Sequence, residues 1–171
     1  MGHVNYEFKA RAGNLIELEE KLLQRSPVFK GEDHQKDTYY KVATGRLKLR
    51  EGNIENALIY YEREDSNESK QSDVILYRHV PDEGLKAILE KVHGVKIVVH
   101  KKRKIYFVNN VKIHLDEVAQ LGTFIEVEAI DKDGSIGIEK LKAQCNEFAK
   151  FFGVLPGDYM AESYSDMLMK I

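Results

Sequence analysis

The chain has 171 residues, a length that suits a single domain with a sizeable core. Charged residues make up 32% of it, above the usual share of about 25%, yet the net charge is only −2. Acids and bases must therefore lie close together, and a general nucleic-acid or acidic-lipid binder, which needs surplus basicity, is excluded. No apolar run is long enough for a membrane span and the N-terminus has no apolar signal core, so a cytoplasmic location is expected. The single cysteine, Cys145, cannot form an internal disulfide and fits a reducing compartment.

Residues 4–11 alternate, with Val4, Tyr6 and Phe8 on one face and Asn5, Glu7, Lys9 and Arg11 on the other, as in a half-buried strand. Gly13 ends the strand, and Asn14 caps a helix reaching Arg25 with Leu15, Leu18, Leu22 and Leu23 on one stripe. Residues 30–35 are polar and read as a loop, and residues 37–42 as a strand. After Gly45, the run Arg46-Leu47-Lys48-Leu49-Arg50 puts two leucines on one face and three cations on the other. Residues 51–53 form a turn, 57–63 a strand ending at Arg63, 65–71 a mobile hairpin tip and 73–80 another strand. Pro81-Asp82 opens a second helix with Leu85, Ile88, Leu89 and Val92 as its stripe and Gly94 as its stop. Residues 95–108 are a long strand that Asn109-Asn110 turns into a strand at 111–116. Gly122-Thr123 separates this from its neighbour at 124–129. Ile138, Leu141, Phe148, Phe151 and Phe152 mark a third helix, ended by Gly153 and Pro156, and residues 163–168 a short capping helix.

About eight strands, mostly in hairpins, with apolar-striped helices between them, predict an α+β fold. It is an eight-stranded antiparallel β-barrel, with the helices covering the apolar outer face and the charged face turned inward. A solvated sheet face is the simpler reading of any one strand. Taken together, however, the polar faces carry few hydroxyls and many fixed charges at alternate positions: Glu7/Lys9, Lys48/Arg50, Lys101/Arg103 and Glu126/Glu128. An interior of ionised groups is stable only if it is wet and occupied. Lys9, Lys48, Arg50, Lys101 and Arg103 suit a polyanion. Glu7, Asp116, Glu126 and Glu128 suit a hard divalent cation, Mg²⁺ or Mn²⁺, and a polyphosphate with its metal satisfies both sets. No GxxxxGK run is present, so side chains must make the grip. The six histidines show no zinc-type spacing, and Lys101-Lys102-Arg103-Lys104 splits between two strand faces instead of forming a nucleic-acid patch.

Glu7-x-Lys9-Ala10-Arg11 resembles the E-x-E-x-K signature of the CYTH superfamily, the triphosphate tunnel metalloenzymes. The full set is similar to its class IV adenylate cyclase, or CyaB-like, branch: Leu47-Lys48-Leu49-Arg50, Tyr60-Tyr61-Glu62-Arg63, Val99-x-Lys101-x-Arg103, His114-Leu115-Asp116-Glu117-Val118, residues 121–128 and Ser163-Tyr164-Ser165-Asp166. The likeness runs in order through the whole chain as one domain, residues 1–171. It implies a tunnel in which Lys9, Lys48, Arg50, Arg63, Lys101 and Arg103 hold the phosphates. Glu7, Asp116, Glu126 and Glu128 would bind the metal, with Lys9 and Asp116 placed at the chemistry. The implied partner is a triphosphate small molecule (ATP, thiamine triphosphate or inorganic triphosphate), with a homodimer through exposed strand edges also open. His114, on the same face as Asp116, is either a supporting residue or a catalyst. Asn5 stands where the signature has its first glutamate, which removes one charge from the metal side.

Overall fold

The computed structural model describes residues 2–63 and 69–171. Eight strands, β1 (Gly2–Arg11), β2 (Val28–Tyr40), β3 (Arg46–Glu51), β4 (Ala57–Arg63), β5 (Lys70–Arg78), β6 (Val95–Val108), β7 (Val111–Val118) and β8 (Gly122–Asp131), form a closed barrel in the order β1-β5-β4-β3-β2-β6-β7-β8. Every neighbouring pair is antiparallel, and the ring closes where β1 pairs with β8. Each strand is thus paired on both sides, and the ring offers no free strand edge.

Helices α1 (Leu15–Leu23), α2 (Glu83–His93) and α3 (Ile138–Phe152) lie outside the barrel, and the short α4 (Tyr164–Leu168) crosses one end. The first starts on the predicted Asn14 cap, and Asp82 caps the second in the same way. Asn14 Oδ1 accepts from the amides of Ile16 and Glu17 at 3.1 and 3.4 Å, and Asp82 Oδ1 from Gly84 and Leu85 at 2.7 and 3.2 Å. Helix α1 stops at Leu23, short of Arg25, where the chain turns through Ser26 at φ 48°. Helix α3 ends on Gly153 at φ 70°, a left-handed conformation that glycine adopts without strain.

Two apolar layers on the outside fix which strand faces point inward. Phe8, Ala10, Ile113, Leu115, Ile125 and Val127 pack under α1 and α3 through Leu22, Leu141, Cys145 and Phe148. Tyr40, Leu47, Leu49 and Leu58 pack under α2 through Leu85 and Leu89. Because side chains alternate across a strand, these outward residues force Glu7, Lys9, Lys48, Arg50, His114, Glu126 and Glu128 into the barrel.

The largest departure from the sequence reading is β2. Residues 30–35, expected as a loop, continue the strand and pair with β6 from Val28 to Tyr40, with a register shift between Phe29 and Gly31. Asp33, Gln35 and Asp37 face the interior while Glu32 and His34 face water. Both faces are polar here, so the sequence shows no hydrophobic alternation. Of the expected hairpin tip at 65–71, residues 65–68 lie outside the described residues, and Lys70 and Gln71 already belong to β5.

Candidate active-site tunnel

The barrel encloses a cavity of about 420 Å³, within the range of small-molecule sites. One end opens where β1 begins and β5 and β8 finish, beside His3, Arg78 and Lys132. The other end is closed by the C-terminal segment. The Met160 amide donates to the Lys9 carbonyl at 2.8 Å, Arg46 pairs with Asp166 at 2.8 Å, and the Tyr164 ring packs against Phe124 at 5.0 Å. Tyr39, Val99, Phe124, Tyr164 and Met167 make this an apolar stopper.

Two charge clusters face each other across the middle of the barrel. The first is built on Asp37, which is 0% exposed. Its carboxylate accepts from Arg50 Nε and Nη2, both at 2.8 Å, and from Lys101 Nζ at 2.7 Å, with Lys48 Nζ at 3.3 Å. Burial alone would raise this carboxyl, but Arg50, Lys101 and Lys48 outweigh it and hold Asp37 well below its ordinary value. Three cations sharing one anion leave a positive surplus. Burial pushes the Lys101 ammonium down to about 7; Arg50, Arg103 and Lys48 add to the shift, and Asp37 opposes it. A polyanion would discharge that surplus. A further carboxylate, Glu55, reaches in from the turn between β3 and β4. It accepts from Arg50 at 3.0 Å and Gln35 at 3.2 Å and pairs with Lys112, while buried Asp33 pins the turn by accepting from the amides of Ile54 and Glu55, both at 2.9 Å.

The second cluster lies on β1, β7 and β8. Register places Glu7 opposite Glu128, Lys9 opposite Glu126, and His114 opposite Glu126 on the other side. One ligand atom each from His114, Glu126 and Glu128 lies within 4.8 Å of the others. The charges are poorly compensated. Burial raises the Glu128 carboxyl to about 8, with Glu126 and Glu7 adding to the shift, whereas Arg103 and Lys9 overcome burial and hold Glu126 well down. Burial, with Arg103 and Lys112 nearby, keeps His114 neutral far below its usual range. Neither ring nitrogen of His114, nor Oδ1 of Asn5, has a hydrogen-bond partner, and both residues are buried. Two carboxylates and a neutral imidazole converging in a buried space fit a divalent cation.

The sequence-predicted residues divide as follows. Lys9, Lys48, Arg50, Lys101 and Arg103 line the same cavity as Glu7, Glu126 and Glu128. Lys102, the alternate residue on β6, points to water. Asp116 sits apart from the His114–Glu126–Glu128 set and is 0% exposed. Its oxygens accept from Arg103 Nε at 2.7 Å and Nη2 at 2.6 Å and from the Tyr164 hydroxyl at 2.7 Å. Arg103 Nη2 also reaches Glu126 at 3.1 Å, so Asp116 orients the arginine that touches the second cluster. Lys9 Nζ lies 4.0 Å from the centre of the Tyr164 ring. Arg63 ends β4 opposite Ser72, and its side chain lies outside the described residues.

Sequence reasoning missed Asp37 and Glu55. The only signal for Asp37 was its place in Asp33-x-Gln35-x-Asp37-x-Tyr39, an inward row hidden among outward polar residues. The third wall was missed as well. Ala57, Ile59 and Val74 on β4 and β5 face the cavity with Leu76, so one side of the tunnel is apolar.

A closed antiparallel barrel with a cationic wall, an acidic wall and an external helical jacket defines a tunnel protein for a small, highly charged ligand. A CYTH domain model matches residues 3–164, and the chain belongs to that family. No curated protein sequence matches the chain. Solved structures share the fold. A protein from Pyrococcus horikoshii is 24% identical with TM-score 0.77, covering 95% of this chain and 98% of its own. A candidate adenylate cyclase from Vibrio parahaemolyticus is 20% identical with TM-score 0.81, covering 99% of each chain. A candidate adenylyl cyclase from Hippeastrum, in which triphosphatase activity dominates, is 14% identical with TM-score 0.64, covering 98% of this chain and 94% of its own.

Proposed function

We propose that this chain is a cytoplasmic, metal-dependent enzyme acting on a triphosphate held in its tunnel, most like a class IV adenylate cyclase. The observation that carries the reading is the convergence of eight Lys and Arg residues and four glutamates, among the described residues, on one cavity. Lys48, Arg50 and Lys101, gathered by Asp37, bind phosphate oxygens. Arg103, aligned by Asp116, and Lys9, beside Glu126, hold the phosphate nearest the acidic cluster. Glu7, Glu126, Glu128 and His114 are the residues placed to hold Mg²⁺ or Mn²⁺. Such an ion supplies charge neutralisation of the phosphates and of the leaving oxygen. The stopper at the C-terminal end excludes water from the far side, so the organic part of the substrate faces the open mouth. There the apolar wall of Ile59, Val74 and Leu76 favours a triphosphate with an organic group over the inorganic ion.

Attack of the ATP 3′-hydroxyl on the α-phosphorus gives cyclic AMP and pyrophosphate. Attack of water on the terminal phosphorus makes the same tunnel a triphosphatase. Phosphoryl chemistry rests on positioning and charge more than on a special nucleophile, so the same cavity can serve either reaction. Purified protein is incubated with ATP, thiamine triphosphate and inorganic triphosphate, each with Mg²⁺ and with Mn²⁺. Cyclic AMP with equimolar pyrophosphate supports the cyclase. Orthophosphate without cyclic AMP replaces it with the triphosphatase. Tight binding with no turnover leaves a polyphosphate-binding module, and no binding at all overturns the reading.

A further inference from the structure

Positions 5 and 114 each put a buried polar side chain without a hydrogen-bond partner against the tunnel. Asn5 removes a carboxylate from the acidic wall but leaves an amide oxygen that is buried, 4% exposed and without a hydrogen-bond partner. His114 adds a neutral imidazole, 1% exposed, with both ring nitrogens unpartnered. Buried polar atoms nearly always find partners, and two such side chains lining the same cavity call for an explanation. An apolar core position does not explain His114, because its ring atoms lie within 4.8 Å of the Glu126 and Glu128 oxygens. Nor does an ion pair, because its nearest carboxylate contact, Nδ1 to Glu128 Oε1, is 3.9 Å long.

We propose that His114 is a direct nitrogen ligand of the tunnel cation, and that its imidazole, with Glu126, Glu128 and the neutral oxygen of Asn5, selects a first-row transition ion such as Mn²⁺ over Mg²⁺. The inference rests on the metal-dependent reading above and narrows its metal. Mg²⁺ demands oxygen donors and sheds water reluctantly, so a site with Asn5 in place of a carboxylate and an imidazole among its donors holds it weakly. Imidazole suits transition ions, and Mn²⁺ accepts carboxylate and imidazole together. The donors come from three strands, β1, β7 and β8, so their sequence spacing shows no ligand motif.

The test uses metal-stripped full-length protein and Mn²⁺ or Mg²⁺ chloride alone, without nucleotide. Calorimetry is expected to give a dissociation constant for Mn²⁺ at least about tenfold below that for Mg²⁺. Pulsed electron paramagnetic resonance of bound Mn²⁺ is expected to show nitrogen coupling that changes to the ¹⁵N pattern in protein labelled with ¹⁵N-histidine. His114→Gln is expected to abolish that coupling, whereas His3→Gln and His79→Gln, at the mouth, retain it. Asn5→Glu is expected to bring the Mg²⁺ and Mn²⁺ constants closer together. If His114→Gln misfolds, the labelled wild-type spectrum with the two mouth variants still decides the ligand. Bound Mn²⁺ with no nitrogen coupling overturns the inference while leaving triphosphate turnover untouched. Nitrogen coupling in a protein that turns over no triphosphate sustains the inference and overturns the proposed function instead.

Discussion

The Asp37 cluster and the Glu128 cluster occupy the same cavity and handle buried charge in opposite ways. Around Asp37 the compensation is internal, with bidentate Arg50, Lys101 and Lys48 all within 3.3 Å. Around Glu128 it is not: Glu126 and Glu7 are like charges, and the imidazole beside it makes no hydrogen bond. The difference separates a wall ordered by its own ion pairs, which still keeps a positive surplus for a polyanion, from a wall where like charges crowd Glu128 and suit a cation.

Asp37→Ala is the most direct way to break this contrast. It leaves three buried cations with no shared anion and is expected to cost about 3–5 kcal/mol, read from the urea midpoint at constant slope. Next in size, Lys101→Met is expected to weaken tripolyphosphate binding about 10- to 100-fold, the loss of one charge-assisted hydrogen bond in a dry site. Calorimetry at fixed salt measures it, and an unchanged affinity would remove Lys101 from the phosphate wall.

Acidification probes the same cluster. The folded-state value for Asp37 lies well below its ordinary 3.8, so on acidification the unfolded chain takes up the proton first. Its stabilising contribution is therefore complete above about pH 5 and is lost as the pH falls below that. Asp37→Asn is expected to be less stable than wild type at pH 7 and to lose stability less steeply between pH 5 and 3. Tyr164→Phe removes one hydrogen bond to Asp116 and is expected to cost about 1.5 kcal/mol. The smallest effect is expected at Glu128. Replacing a carboxyl whose charge is already disfavoured by a neutral isostere leaves the metal-free fold within about 0.5 kcal/mol of wild type, or slightly more stable. A loss there as large as that from Asp37→Ala would erase the distinction between the two clusters.

Much of the barrel was legible wherever one strand face is apolar and the other charged. β1, β3, β7 and β8 carry that contrast in plain alternation, so the inward identity of Lys9, Lys48, Arg50, Glu126 and Glu128 followed from period and helix stripes together. β2 carries no such contrast. Its inward Asp33, Gln35 and Asp37 alternate with outward Glu32, His34 and Lys36, and only the pairing with β3 and β6 reveals a strand. The apolar wall of β4 and β5 was hidden for the converse reason, since Ile59 and Val74 look like ordinary core residues until the ring closes.

Sequence alone determined the alternating charge pattern, the helix cap at Asn14 and the helix start at Pro81-Asp82, and hence a barrel with its ions inside. These depend on neighbours a few residues apart, where spacing dictates which side chains share a face. Only the tertiary structure decided which ions meet. Asp37 and Lys101 are 64 positions apart in the chain, Tyr164 and Asp116 48 positions apart, and each pair lies within hydrogen-bond reach because eight strands close into one ring. Electrostatic energy depends on distance in space and on burial, and neither is set by local sequence.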